Sequence, residues 1–220
     1  SIKGFSKTML DNWDNLDEEQ KKKFLKIIVE QSQRLINLVE NVLNVSKIDS
    51  GANDAVLTKV DTVSAINTAI SMVKMNYKDF DFAFTICSKE PVLADYNKLQ
   101  QVLINLLDNA AKYSIDSKKI EINLKNDKNN AIISIKNFGI SIDEKYFDKI
   151  FDKFFRIDTY LKSSAQGSGL GLYITKQLLD LMGGKINVKS SKSPNCCEFI
   201  IYLPLYEVES ATKEALKAKL

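Results

Sequence analysis

NLLDNAAKYS, residues 105–114, closes a segment running from Asp95 to Tyr113 on which the reading of the whole chain turns. Asp95 is placed to cap a helix. At 100° per residue, Leu99, Val102, Leu103, Leu106 and Ala110 fall on one face, as a helix laid on a core requires. Asn105, Asn109 and Lys112 are spaced i, i+4, i+7 and lie within about 60° of one another on a different face. Two carboxamides and an ammonium form a neutral-to-positive set of oxygen ligands and donors. That set suits phosphate oxygens and a hydrated Mg²⁺, which keeps several waters and takes few protein ligands. A solvated polar face has the same pattern, so the stripe gains meaning only from its neighbours.

Around this helix the chain reads as α+β. Leu57–Val60 is a short strand and residues 61–76 are helical. Phe80, Phe82, Phe84 and Ile86 alternate at period two, as a half-buried strand does. Pro91–Ala94 is a short extended piece. Residues 118–125 and 130–137 alternate again, joined by a hairpin turn at Asp127–Asn130. A short helix is expected at 143–149 and a longer one from Gly169 to Met182, stopped by Gly183-Gly184. Strands at 185–190 and 197–203 close the domain. Without regular βαβ repeats this predicts an α/β sandwich: one mixed sheet with helices on one face.

Residues 1–50 differ in kind. A short limb runs from Ser1 to about Trp13, and a long helix from about Glu18 to Lys47. Asp17 and Gln20 have the spacing of a capping box. Phe24, Gln31, Leu38 and Val45 repeat every seven residues, as do Ile28, Leu35 and Val42 four residues out of step. Together they make an a/d seam broken once, by Gln31. A two-helix hairpin cannot bury such a seam alone. Pairing with a second copy in a dimeric four-helix bundle is the expected outcome; packing on the following domain is the alternative. Ser50-Gly51 marks the boundary, which gives a hairpin over 1–52, a domain over 53–206 and an Ala/Lys/Glu-rich tail over 207–220.

Composition removes several chemistries. The 220 residues carry 31 Lys+Arg, 28 Asp+Glu and no His, for a formal charge of +3. No Ser–His–Asp triad, Cys–His pair, HExxH zinc helix or imidazole base exists within them. Cys87, Cys196 and Cys197 are too few and too badly spaced for structural zinc, and the adjacent pair is expected on opposite faces of a strand. The mild charge argues against nucleic acid as a partner. No apolar run reaches the roughly 18 residues of a spanning helix, and no secretory leader opens the chain.

Three further stretches carry chemical signals. In Gln166-Gly167-Ser168-Gly169-Leu170-Gly171-Leu172, three alternate glycines lead into an apolar helix, so backbone N–H groups and a helix N-terminus can meet a phosphate. The spacing is neither the dinucleotide fingerprint nor a Walker loop, and a hinge would look similar. Asn137-Phe138-Gly139-Ile140-Ser141-Ile142 offers a polar group, a glycine and an apolar wall ending in Ile142, fit for a flat heterocycle, or a plain strand-end turn. Phe151-Asp152-Lys153-Phe154-Phe155-Arg156 is an aromatic and basic cluster whose Arg156 can address a terminal phosphate.

In order and spacing, NLLDNAAKYS (105–114), NFGISI (137–142), FDKFFR (151–156) and GSGLGLYITKQL (167–178) resemble the N, G1, F and G2 boxes of sensor histidine kinases. SIKGFSKTML resembles the stretch after their phosphoacceptor box, and LINLVENVLNVSKIDSG the end of their second dimerisation helix. The resemblance covers roughly residues 1–205. It implies the Bergerat ATP-binding fold, ATP and Mg²⁺ as cofactors, and transfer of the γ-phosphoryl group to a histidine and then to an aspartate of a response-regulator receiver domain. It also implies a homodimer through the hairpin, docking of the receiver near Lys3, Lys7 and Asn44, and a cytoplasmic location, with membrane contact only through upstream segments. Residue by residue, Asn109 coordinates Mg²⁺ with Asn105 assisting, Lys112 meets phosphate and Tyr113 flanks the adenine. Asn137 faces the adenine amine, and Gly139 allows close approach. Residues 157–168 form a lid hinged and cradled by Gly167, Gly169 and Gly171, with Leu170 between them, and Arg156 touches the γ-phosphate.

Two departures stand out. The adenine-reading position carries Asn137 where the family has Asp, and the second glycine of that box is Ser141. A neutral amide in place of a carboxylate weakens the bond by roughly 1 kcal/mol, so nucleotide binding is expected to be weakened but retained. The phosphoacceptor histidine and its acidic neighbour are expected just upstream of Ser1, so the 220 residues are expected to be inactive in autophosphorylation. A degenerate kinase acting as a dimeric docking module and a gyrase-type ATP-driven clamp are the alternative readings.

Overall fold

The computed structural model describes residues 2–50, 54–157 and 168–206. It has two compact units, Ser1–Ser50 and Gly51–Leu220.

The first unit is a helical hairpin of α1 (Ile2–Asp11) and α2 (Glu18–Asp49), joined through a 3₁₀ turn at Trp13–Asn15. The expected capping box forms: the Gln20 N–H donates to the Asp17 carboxylate at 2.7 Å, and the Asp17 N–H to Gln20 Oε1 at 3.1 Å. Phe5 of α1 packs on Phe24 of α2 with ring centroids 5.5 Å apart, and Met9 is buried. At 1.5 Å per residue α1 is about 15 Å long and α2 about 48 Å, so α1 covers only the first part of the seam. Beyond its reach Leu35, Leu38, Val39, Val42 and Leu43 are exposed within the unit.

The second unit is built on a five-stranded sheet of order β2-β4-β5-β7-β6: β2 (Asp81–Ile86), β4 (Lys119–Asn126), β5 (Asn130–Phe138), β6 (Lys185–Lys192) and β7 (Asn195–Pro204). Every pairing is antiparallel except β2 with β4. Period-two alternation sorts the two faces. Ile122 opposes Ile135, which opposes Phe199; Leu124 opposes Ile133, which opposes Ile201; all of these are buried. The other face carries the row Glu121–Lys136–Glu198–Lys189, alternating in sign across four strands, as a solvated sheet face favours.

Helices α3 (Thr62–Lys74), α4 (Tyr96–Tyr113) and α5 (Gly171–Leu181) supply the apolar layer over the buried face. Ile66, Leu99, Leu103, Leu106, Leu107 and Leu179 are among its fully buried side chains. Asp95 caps α4 by accepting from the N–H groups of Asn97 and Lys98 at 3.0 and 3.1 Å. The two short extended pieces pair with each other as β1 (Thr58–Val60) and β3 (Val92–Ala94), a two-stranded antiparallel sheet. The single short helix expected at 143–149 is instead two 3₁₀ turns, Glu144–Tyr146 and Lys149–Phe151. Cys196 and Cys197 are free, buried and on alternate faces of β7, in register with Phe138 and Asn137. The Cys197 thiol is pushed up to about 12 by burial first, with Cys196 and Glu198 adding to it. The tail at 207–220 lies outside the described residues.

Candidate functional site

The end of β5 and the last turn of α4 are stitched together by backbone. Tyr113 presents its carbonyl to the Ile140 N–H at 3.1 Å, the Phe138 carbonyl accepts from Asp116 N–H at 3.2 Å, and Gly139 N–H reaches Asn195 O at 3.1 Å. The Ser114 hydroxyl adds contacts to the carbonyls of Ser117 and Phe138 at 2.5 and 3.1 Å. Gly139 is required here for space. A Cβ would run into the Tyr113 carbonyl oxygen and lie 2.5 Å from the Ile115 nitrogen. This junction fixes the C-terminal end of the Asn105–Asn109–Lys112 stripe against the strand that carries Asn137.

Asn137 is 2 % exposed, and its Nδ2 has no hydrogen-bond partner among the described residues. It stands in a row across the buried sheet face, with Ile120 on one side and Cys197, then Ser190, on the other. A buried amide donor left without a partner costs about 1–3 kcal/mol. Past the turn, Ile142 N–H donates to Ser190 Oγ at 2.8 Å, and Ser190 Oγ donates to the Cys196 carbonyl at 2.8 Å. That pins the apolar wall to the sheet.

On α4 the three stripe residues have different surroundings. Asn105 Nδ2 donates to Thr175 Oγ1 of α5 at 2.7 Å. Asn109, one turn on, is half-buried. Lys112 is ion-paired with Asp108, four residues before it on the same helix, and both are about one-third exposed. Asp108 also accepts from the Tyr77 hydroxyl at 2.8 Å. Burial raises the Tyr77 phenol above its ordinary value, and the charge and hydrogen bond of Asp108 raise it further, so it stays a neutral donor. The i, i+4 spacing of Asp108 and Lys112 was visible in the sequence; Tyr77 and Thr175 came with no signal there.

The glycine segment is described from Ser168 onward, so Gly167 and positions 158–167 of the expected lid lie outside the described residues. Gly169 has φ +72° and takes Phe154 as its partner, with the Phe154 N–H donating to its carbonyl at 3.0 Å. A Cβ on Gly169 would sit 2.8–2.9 Å from the Phe154 backbone. Phe154 itself is left-handed (φ +63°) and 64 % exposed, an arrangement that costs a non-glycine residue of order 1 kcal/mol. Leu170 is buried and heads α5, and Gly171 opens it directly against Asn105. A Cβ at 171 would lie 2.5 Å from Asn105 Oδ1. Arg156 lies among the described residues just before the lid positions.

Among the described residues no group of three His, Cys, Asp or Glu side chains is arranged to hold a metal ion. The donor set is two neutral carboxamides, which fits Mg²⁺ arriving with phosphate oxygens and most of its waters rather than a resident ion. No described helix is long and apolar enough to cross a membrane.

Comparison with known proteins bears on the family and the fold. Residues 94–207 match the family described as histidine kinase-, DNA gyrase B- and HSP90-like ATPase, and residues 1–51 the His Kinase A (phospho-acceptor) domain. The sensor protein SrrB of Staphylococcus aureus is 30 % identical over 209 residues, which are 92 % of this chain and 35 % of SrrB. The chain thus spans about a third of the length of the curated relatives it matches. Among solved structures, the mycobacterial sensor histidine kinase MprB superposes with a TM-score of 0.61 at 29 % identity, over 70 % of this chain and all of that one. Histidine kinase ThkA, in complex with response regulator protein TrrA, gives 0.72 at 26 % identity over 93 % of this chain and 57 % of that one. With two matched regions that together run along nearly the whole sequence, and the α+β sandwich those regions require, the chain belongs to the sensor histidine kinases and contains their ATP-binding catalytic domain.

Proposed function

We propose that the domain over 53–206 binds ATP with Mg²⁺ and presents its γ-phosphoryl group to a histidine outside these 220 residues, from which it passes to an aspartate of a response-regulator receiver domain. The buried Asn137 amide, whose Nδ2 has no partner among the described residues, carries this reading. It lies on the strand end that backbone bonds tie to the helix bearing the oxygen-ligand stripe. Asn137 reads the adenine edge, Gly139 lets the base approach, Tyr113 flanks it and Ile142 closes the wall. Asn109 coordinates Mg²⁺ with Asn105 assisting, and Lys112 turns from Asp108 to a phosphate. Backbone N–H groups at Gly167, Gly169, Leu170 and Gly171 cradle the phosphates, and Arg156 contacts the terminal one. Positioning and charge neutralisation supply most of the rate in phosphoryl transfer, and these groups provide both.

The hairpin over 1–52 forms a homodimer through the open part of the α2 seam. The match to a phospho-acceptor domain supports that, and the ThkA complex supports a receiver domain as the second partner. With ATP as its substrate, the domain works on the cytoplasmic side.

Calorimetric titration with a non-hydrolysable ATP analogue tests the reading. The natural chain binds it in Mg²⁺, and Asn109→Ala lowers the affinity by about tenfold or more, the equivalent of at least about 1.4 kcal/mol. A chain that takes up no analogue overturns the reading in favour of a docking module. A second expected result concerns Asn137→Asp. Asp exchanges the Nδ2 donor for a charged acceptor, whose bond to the adenine amine is stronger by roughly 1 kcal/mol, and a water serves the ring nitrogen that Nδ2 faced, so affinity rises about fivefold. In the empty site the same carboxylate is buried and unpaired, so the ligand-free melting temperature falls. Unchanged affinity would remove the argument from the amide.

A further inference from the structure

We infer that Thr175 is a positioning residue for the metal-facing end of the site, acting through Asn105. This rests on the reading of Asn105 and Asn109 as the Mg²⁺-facing pair. The Thr175 side chain is buried on α5, 1 % exposed, and polar in a layer otherwise made of Ile174, Leu178 and Leu179. Its Oγ1 accepts from Asn105 Nδ2 at 2.7 Å, across 70 residues of sequence. A carboxamide whose nitrogen is committed in this way keeps its oxygen as the free-acting acceptor, and oxygen is the atom that Mg²⁺ or a metal-bound water uses.

Gly171, one turn before Thr175 on the same helix, fixes the other side. Its Cα lies so close to Asn105 Oδ1 that a Cβ would come within 2.5 Å of it. Asn105 is therefore held from two points of one helix, one by a hydrogen bond and one by close packing. The amide plane is therefore set by α5, not by α4, where Asn105 is anchored. Partners one step removed from the metal typically change metal affinity 10–100-fold when lost, so the effect is large enough to measure. The consequence for the chain is that the helix opening after the glycine segment sets the orientation of a metal ligand on the neighbouring helix.

The test titrates the 220-residue chain with adenylyl imidodiphosphate in a series of Mg²⁺ concentrations and in EDTA, and records melting temperatures alongside. Thr175→Val is nearly isosteric and removes the acceptor; Thr175→Ser keeps it. We expect Thr175→Val to move the Mg²⁺ midpoint about tenfold upward, with affinity in EDTA within about twofold of the natural chain, and Thr175→Ser to restore the natural midpoint. Equal losses with and without Mg²⁺ would make Thr175 a packing residue and overturn the inference, as would a Thr175→Val midpoint identical to the natural one. Asn109→Ala separates the two levels. If it too leaves the Mg²⁺ dependence unchanged, the reading of the metal pair has failed; if it abolishes that dependence while Thr175→Val does not alter it, only the positioning role has failed.

Discussion

Gly139→Ala is expected to lower the stability of the catalytic domain by about 3 kcal/mol and to remove its nucleotide binding. The three atoms nearest the added methyl group are all backbone: the Tyr113 carbonyl oxygen, the Ile115 nitrogen and Ser114 Cα. No flexible side chain can swing aside, so the strand end and the last turn of α4 must separate. That breaks the Ile140–Tyr113 bond and loosens the Ser114 hydroxyl contacts. Overpacking of this kind costs about 1–3 kcal/mol, more where backbone has to move. For a domain of this size it corresponds to a drop in melting temperature of roughly 6–12 °C. The junction also sets the distance between Asn137 and the ligand stripe, so binding of an ATP analogue should vanish even at temperatures where the variant is folded. Differential scanning calorimetry and analogue titration check the two effects separately. Wild-type binding in a folded Gly139→Ala chain would show that the junction does not set the site.

The second large effect concerns the hairpin. Leu35→Lys with Val42→Lys is expected to convert a dimer into a monomer at micromolar concentration. Both residues are exposed within the unit, Leu35 at 56 % and Val42 at 44 %, and lie past the reach of α1. In a four-helix bundle each would face its counterpart, so two substitutions bury four like charges without partners. Burying unpaired ammonium groups is costly enough to raise the dissociation constant by at least about 100-fold. The Phe5–Phe24 contact lies at the other end of the hairpin, and the catalytic domain should keep its own melting transition. Light scattering after size exclusion reads the outcome. A natural chain that is monomeric throughout would place the seam in some other contact.

How much of this was legible depends on what each signal reports. Caps were legible because they are local: Asp17 with Gln20, and Asp95 at the head of α4, act within three residues of themselves. Faces were legible because alternation at period two and stripes at 3.6 record burial directly, as in Ile120, Ile122 and Leu124. Partners were not, since periodicity does not say which strand lies next door. The parallel pairing of β2 with β4 and the small β1–β3 sheet are matters of tertiary choice. The same limit applies to the site. The Asn105–Asn109–Lys112 stripe and the glycines could be read from spacing, but the Thr175 hydroxyl and the Tyr77 phenol join it from 70 and 31 residues away. Both contacts depend on where helices settle. At 144–151 two 3₁₀ turns replace the expected helix: the Asp143 carboxylate caps the first by accepting from the Lys145 N–H, and no side chain caps the second.

The one parallel pairing among the described strands has a consequence for time rather than for shape. Strands β4 and β5 are joined by a three-residue turn tightened by the Asp127 carboxylate, so they can zip from a local start. Phe82 meets Ile120 only after the intervening chain, α4 included, has been laid down, and it gains ladder bonds on one side alone. Closing that larger loop comes before any contact rewards it. Strand β2 is therefore the last part of the sheet to form and the first to fray, its amide hydrogens exchanging with solvent ahead of those in β5 and β7. The strands that carry Asn137 and Cys197 remain closed while that edge breathes.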